Sequence, residues 1–310
     1  MNPYSHNNIF QFFFTFFSRL EKGFPGGFVS DEIQLMVLIT VALSSALVGT
    51  FLVWRQMAML ANALSHTILA GIVLTYLGYH FFFQNELDFE QLLPSDTALI
   101  VSAILTALIT TFLTQTGVLL FGISEDSSTG MVFTFLFALG IVLVTCFTRN
   151  SHIGAELLMG NADLVQMRDL YLSSGILLLN GILVMIFWRP YFVTSFDPVF
   201  AKVLGFSIPL CGYLLMAQVA VTAIGAFRAV GVLLFLAFMV APPICARLWV
   251  NQYGKVLFLS CAIGSAAAFF GVALSRHLLS FHGISCSTGA LVVTILFVIT
   301  LISMGLKALK

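Results

Sequence analysis

Charge is what this sequence has least of: only 8% of its 310 residues are Asp, Glu, Lys or Arg, against roughly a quarter in an ordinary soluble domain. That scarcity excludes a water-soluble globular chain. The 13 basic residues are matched by 13 acidic ones, so no excess of either sign points to nucleic acid or to an anionic partner. Cysteine is sparse too. Cys146, Cys211, Cys245, Cys261 and Cys286 are scattered, four of them inside apolar runs, with no CxxC pair. They read as small buried hydrophobes, not as a disulfide framework or a zinc cluster. No HExxH, no nucleophile constellation and no GxxxxGK followed by Ser or Thr occurs. The chain is therefore not read as an enzyme and is expected to bind no cofactor itself. If ATP drives it, another chain binds the nucleotide.

What is present is apolar. Hydrophobic residues make up 60% of the chain, Phe alone occurs 32 times, and the mean hydropathy is +1.05. Runs of about 20 apolar residues suit helices crossing a hydrocarbon core about 30 Å thick, and not the alternation of a barrel. The expected fold is an all-α polytopic membrane protein, a bundle of about eight to nine transmembrane helices. Nine apolar segments fall at approximately 33–54, 58–79, 97–116, 130–148, 170–188, 208–226, 229–250, 256–275 and 288–306. Small residues recur within them, as in "VALSSALVG" and "CAIGSAAAFFG", and let helix backbones approach closely in lipid.

Residues 1–32 are set apart as an N-terminal interfacial segment. Their "IFQFFFTFF" is too short to span and has no basic region before it, so it does not read as a signal peptide; Gly23, Pro25, Gly26 and Gly27 end it. Residues 33–310 form the transmembrane domain. Nine crossings place Arg55, Arg189, Lys202, Arg247, Lys255, Lys307 and Lys310 on one face and the acidic loop 85–96 on the other. The basic face is expected to be cytoplasmic, with the C-terminus inside. Arg149, Arg168, Arg228 and Arg276 fall outside in this scheme.

Three stretches could carry chemistry. In "QMAMLANALSHTILAG" (56–71), Asn62 and His66 share one helical face at i and i+4. Helical continuation from Arg55 puts His66 on the order of 16 Å into the membrane, where polar groups need a partner helix or a water-filled path. They are either half of a metal site or a pair bonded to neighbouring helices, and an imidazole suits Zn, Mn or Fe(II) better than Ca. In "SFDPVFAKVLGFSIP" (195–209), Asp197 as a cap, Pro198 at the first helical position, and Gly205 with Pro209 as stops predict a short cytoplasmic helix over about 196–206. It is an ordinary connector or a docking element for a cytoplasmic motor. In "AVGVLLFLAFMVAPPICARLW" (229–249), Pro242 and Pro243 distort the helix, as a plain kink or as a break lining a gate. His152, Glu156 and Asp163, and also His277 and His282, read as solvated loop residues on the outer face, with contact to an entering ion or its delivery protein as the alternative.

"WRQMAMLANALSHTILAG" resembles the signature region of permeases of zinc, manganese and iron ABC importers, with Arg55, Met57, Ala63, Leu64, Ser65 and His66 in place. The likeness continues in order through "EDSSTGMVFTFLFALGIVLV", "ELLMGNADLVQMRDL", "FDPVFAKVLG", "AVGVLLFLAFMVAPPICARL" and "STGALVV", covering roughly residues 33–306. The resemblance implies a bacterial plasma-membrane permease that works as a homo- or heterodimer with a second permease chain. ATP-binding-cassette subunits would hold ATP and Mg at the cytoplasmic face, and an extracytoplasmic metal-binding protein would deliver the ion. Asn62 and His66 would correspond to the metal-contacting pair of the translocation path. Phe196, Asp197, Pro198, Lys202 and Gly205 would belong to the coupling helix. Asn62 stands where the family usually has Asp, which weakens the electrostatic hold on a divalent cation, and Ala70 stands where many relatives have Pro. A permease for iron chelates or cobalamin would need no such ligands. An ATP-independent secondary transporter would need buried carboxylates, whereas Asp and Glu here map to loops and segment ends.

Overall fold

The computed structural model describes residues 4, 9–23, 27–55, 57, 63, 67, 70, 71, 74, 78, 96–148 and 162–309. All the regular elements among them are helices: α1 (Ile9–Glu21), α2 (Ser30–Trp54), α3 (Asp96–Phe121), α4 (Glu125–Thr148), α5 (Met167–Ile186), α6 (Trp188–Phe196), α7 (Pro198–Val203), α8 (Ile208–Val230), α9 (Val232–Trp249), α10 (Tyr253–His282) and α11 (Thr288–Ala308). Within α2, α4, α5, α8, α9, α10 and α11 lie seven stretches long and apolar enough to cross a membrane. The chain is an all-helical, multi-pass membrane protein. Large apolar side chains such as Phe135, Leu178, Met185, Phe297 and Ile302 stand exposed on these helices; hydrocarbon accepts them, while the helix satisfies its own backbone polar groups.

The described residues group into two compact units. The first comprises Met1–Thr50, Gly160–Gly181 and Arg228–Lys310. Glycines bring its helices together backbone to backbone: Gly49 of α2 against the Met239 carbonyl of α9, Gly264 of α10 against Ala42 and Pro242, and Gly271 against Val292 of α11. Polar pairs join helices across the same packing, with Asn180 Nδ2 donating to Ser44 Oγ at 2.8 Å and the Thr50 and Ser260 hydroxyls 3.0 Å apart. At the start of α2, Asp31 pairs with Arg276 of α10, and fully buried Glu32 accepts from the Tyr4 hydroxyl at 2.7 Å, from Arg19 and from the Val29 amide at 2.9 Å. Burial and the Glu32 bond push the Tyr4 phenol well above its ordinary range, so it stays a neutral donor. Helix α1 turns Phe12, Phe13 and Phe16 onto Phe269 of α10, with ring centroids 5.9, 4.1 and 5.9 Å away.

The second unit comprises Phe51–Met159 and Ile182–Phe227. In it α3 and α4 form a hairpin through Gly122, whose φ of +64° lies in the left-handed region. Ser128 Oγ closes the hairpin by donating to the Thr114 carbonyl at 2.7 Å. Gly71 sits against Ser102 and Thr106 of α3, and Gly140 of α4 against Ala70.

Three details depart from the hydropathy reading. The interruption near residue 229 is a single residue, Gly231 at φ +84°, between α8 and α9. Helix α9 runs without interruption through Pro242 and Pro243; as Pro243 has no N–H to give the Met239 carbonyl four residues back, that freed carbonyl is the one Gly49 approaches. Helix α10 extends to His282, so His277 and His282 belong to its last turns and not to a loop.

Candidate functional site

The site with the most developed geometry is built around α7. Asp197 has extended backbone (φ −141°, ψ 93°), and its carboxylate accepts from the Val199 amide at 2.9 Å and the Phe200 amide at 3.0 Å, while Pro198 occupies the first helical position. At the other end the Gly205 amide donates to the Lys202 carbonyl and the Phe206 amide to the Ala201 carbonyl, each at 3.0 Å, with Gly205 at φ +81°. This paired closure satisfies the last carbonyls of the helix and needs glycine at the turn. The start and stop expected from Asp197, Pro198 and Gly205 are thus the ones observed.

A six-residue helix has little stability of its own, so both caps matter, and its side chains show what it presents. Ala201 is buried. Val199, Phe200, Val203 and Leu204 are 74%, 52%, 78% and 49% exposed, and Phe196 is 50% exposed. Asp197, Pro198, Lys202 and Gly205 are exposed among them. Five neighbouring apolar side chains, each about half or more exposed, form a knob suited to an apolar groove on another surface.

Helix α6 supports the knob from beneath. Tyr191 is 1% exposed, and its hydroxyl donates to Gln218 Oε1 of α8 at 2.8 Å; burial pushes its phenol well above the ordinary range, so it remains a neutral donor. Phe51 of α2 packs its ring 5.3 Å from Tyr191 and 6.2 Å from Trp188, and Trp54 lies 4.5 Å from Phe196. Arg55 follows, beside Gln115 and the close-packed Gly212.

Asn62 and His66, the expected metal pair, lie outside the described residues, as do His152 and Glu156. In the same segment Ala63, Thr67 and Ala70 are helical and buried. No group of three or more His, Cys, Asp and Glu able to hold a metal occurs among the described residues. The structure brings Phe196, Asp197, Pro198, Lys202 and Gly205 together on α7 and its two flanks, with Phe196 ending α6. Pro242 and Pro243 are buried in the other unit, where Pro242 meets Gly264.

Two features had no counterpart in the sequence reading. One is the ring platform of Phe51, Trp54, Trp188, Tyr191 and Phe196; its faint signal is aromatic density at the end of one apolar run and the start of another. The other is a cavity of about 310 Å³ in the first unit, lined by Asp31, Gln34, Asp163, Ser275, Arg276 and Thr288. There Asp163 is tied down: Gln34 Nε2 donates to it at 2.9 Å, and the Thr288 hydroxyl donates to it as well.

The chain resembles known proteins over nearly its whole length. It is 38% identical to a probable metal transport system membrane protein of Chlamydia pneumoniae over 297 residues, 95% of this chain and 89% of the relative. It is 34% identical to the manganese transport system membrane protein MntD of Bacillus subtilis, over 75% of this chain and 79% of that one. Among solved structures, PsaBC from Streptococcus pneumoniae in complex with Fab superposes with a TM-score of 0.69 at 26% identity, over 94% and 95% of the two chains. Residues 32–307, from the start of α2 almost to the end of α11, match the ABC 3 transport family, and with the shared helical architecture this makes the chain a member of that family.

Proposed function

We propose that this chain is the membrane permease subunit of an ATP-binding-cassette importer that moves a divalent transition-metal ion, manganese first among the candidates, into the bacterial cytoplasm by alternating access. The observation that carries the reading is α7: in a member of this family, a doubly capped helix with an exposed apolar knob is a piece suited to seat in an ATPase groove. The manganese transport relatives support the choice of ion. ATP and Mg would belong to the ATPase chains, and a second permease chain and an extracytoplasmic metal-binding protein would complete the assembly. Pro242 and Pro243 would serve as a gating element.

In this reading Asn62 and His66 line the path. A neutral amide oxygen and an imidazole nitrogen suit a borderline divalent ion, and the amide lacks the charge of a carboxylate. The ion would then be held loosely, as passage requires, or the second permease chain would supply the carboxylate. The test is uptake of Mn, Zn and Fe(II), each alone, into vesicles holding the complete assembly. Uptake of manganese that needs ATP and fails in His66→Ala is the expected result. Uptake indifferent to ATP, or unaltered in a His66→Ala, Asn62→Ala double variant, removes the reading.

A further inference from the structure

The second unit links α7 to the signature segment by direct ring contact. Phe196, the last residue of α6 and the one before the Asp197 cap, lies 4.5 Å from Trp54. Trp54 is the last residue of α2, and the chain runs from it through Arg55 into residues 56–71. One turn earlier, Phe51 is fully buried and meets both Trp188 and Tyr191 of α6. Tyr191 in turn is held to α8 by its bond to Gln218. Helix α6 is fastened to α7 as well, because the Asp197 amide donates to the Val193 carbonyl at 3.0 Å.

We propose that the Trp54–Phe196 ring pair is the relay that carries displacement of α7 into the segment bearing Asn62 and His66, with Trp54 acting as a positioning residue for transport. The proposal rests on the permease reading above. Its physical content is that packed rings resist compression, so a push on Phe196 is passed to Trp54 through their direct contact. Phe51 keeps the last turn of α2 in register while the push is delivered. Trp54 is not itself one of the exposed knob residues, so it can be replaced while Val199, Phe200, Val203 and Leu204 keep their surface.

The experiment compares the complete wild-type assembly with Trp54→Ala and Trp54→Phe in vesicles, and measures manganese taken up and ATP hydrolysed in the same sample. Trp54→Ala is expected to hydrolyse ATP at the wild-type rate while manganese moved per ATP falls by about tenfold, within the range that disrupting a coupling contact produces. Trp54→Phe, which keeps a ring against Phe196, should return to within about twofold of wild type. If Trp54→Ala does not assemble, Trp54→Leu, which keeps apolar bulk without a ring, is read by the same ratio. An unchanged ratio, or hydrolysis and uptake falling in parallel, overturns the relay and leaves the permease reading standing. A wild-type assembly that moves no metal with ATP removes the permease reading and the relay together.

Discussion

Replacing Gly49 with alanine should loosen the protein, although alanine is the better helix former. A Cβ on Gly49 would fall 2.9 Å from the carbonyl carbon of Met239, 3.0 Å from its Cγ, and closer still to the carbonyl oxygen. Nonbonded carbons rest about 3.5–4.0 Å apart, so α2 and α9 would have to separate locally by roughly 1 Å. Pro243 leaves this carbonyl without its helical hydrogen bond, yet as main chain it can tilt only with its own turn of α9. Overpacking of this kind costs about 1–3 kcal/mol, and a backbone clash belongs near the upper end. The gain in helix propensity from Gly to Ala is at most about 1 kcal/mol. The clash wins by roughly 1–2 kcal/mol, or about 1.5–3 °C in melting temperature for a chain of this size. The assay is the thermal midpoint of the purified protein in detergent, followed by loss of the monodisperse peak on size exclusion. Gly175→Ala and Gly305→Ala serve as controls, since a Cβ at either position meets nothing within 4 Å; they should melt at or slightly above wild type. A Gly49→Ala protein that melts with these controls would refute the account of α2 and α9 packing.

Gly71→Ala should be poorly tolerated for a related reason. Its Cβ would lie 2.5 Å from the Ser102 carbonyl and against the Thr106 hydroxyl, and Thr106→Ala in the same chain should recover only part of the folded yield. Asp31→Asn removes the charge paired with Arg276 beside a nearly buried carboxylate; because Arg276 is partly exposed, the expected loss is about 1–3 kcal/mol, read as a lower melting midpoint. Asp197→Ala takes the acceptor from two α7 amides and should cost that short helix about 1 kcal/mol. Uptake is expected to fall while overall melting is unchanged, and Asp197→Asn should restore it, which would assign the effect to capping and not to charge. Val203→Asp places a carboxylate on the apolar knob and should prevent ATPase subunits from co-purifying; undiminished co-purification would show that the knob is not the contact.

Hydropathy located the long helices because transfer into hydrocarbon is a local property of about 20 consecutive residues. The ends of α7 were legible for a similar reason: Asp197, Pro198 and Gly205 act on amides and carbonyls within a few positions of themselves. What lay outside the sequence's reach was pairing over distance. Asp31 and Arg276 are 245 residues apart, and neither carries any mark of the other beyond sitting at the edge of an apolar run. The same holds for Trp54 and Phe196, where composition reported aromatic richness but not which rings meet. The proline pair shows the opposite limit. Local rules expect a kink or a break at Pro242 and Pro243; α9 is continuous through them, and that α2 meets the freed carbonyl at Gly49 is a tertiary fact. Asn62 and His66 lie outside the described residues, and their shared face is an expectation from the i, i+4 spacing alone.

The aromatic seam between α1 and α10 has a consequence for how the protein is made. Phe12 leaves the ribosome about 250 residues before Phe269, the ring it packs against, and at roughly 5–20 residues per second that is an interval on the order of 10–50 seconds. Throughout it the Phe-rich N-terminal helix has its local contacts, such as Arg19 with Glu32, but lacks the α10 ring on which its phenylalanines pack. Its docking on α10 therefore has to wait until nearly the whole chain has been made.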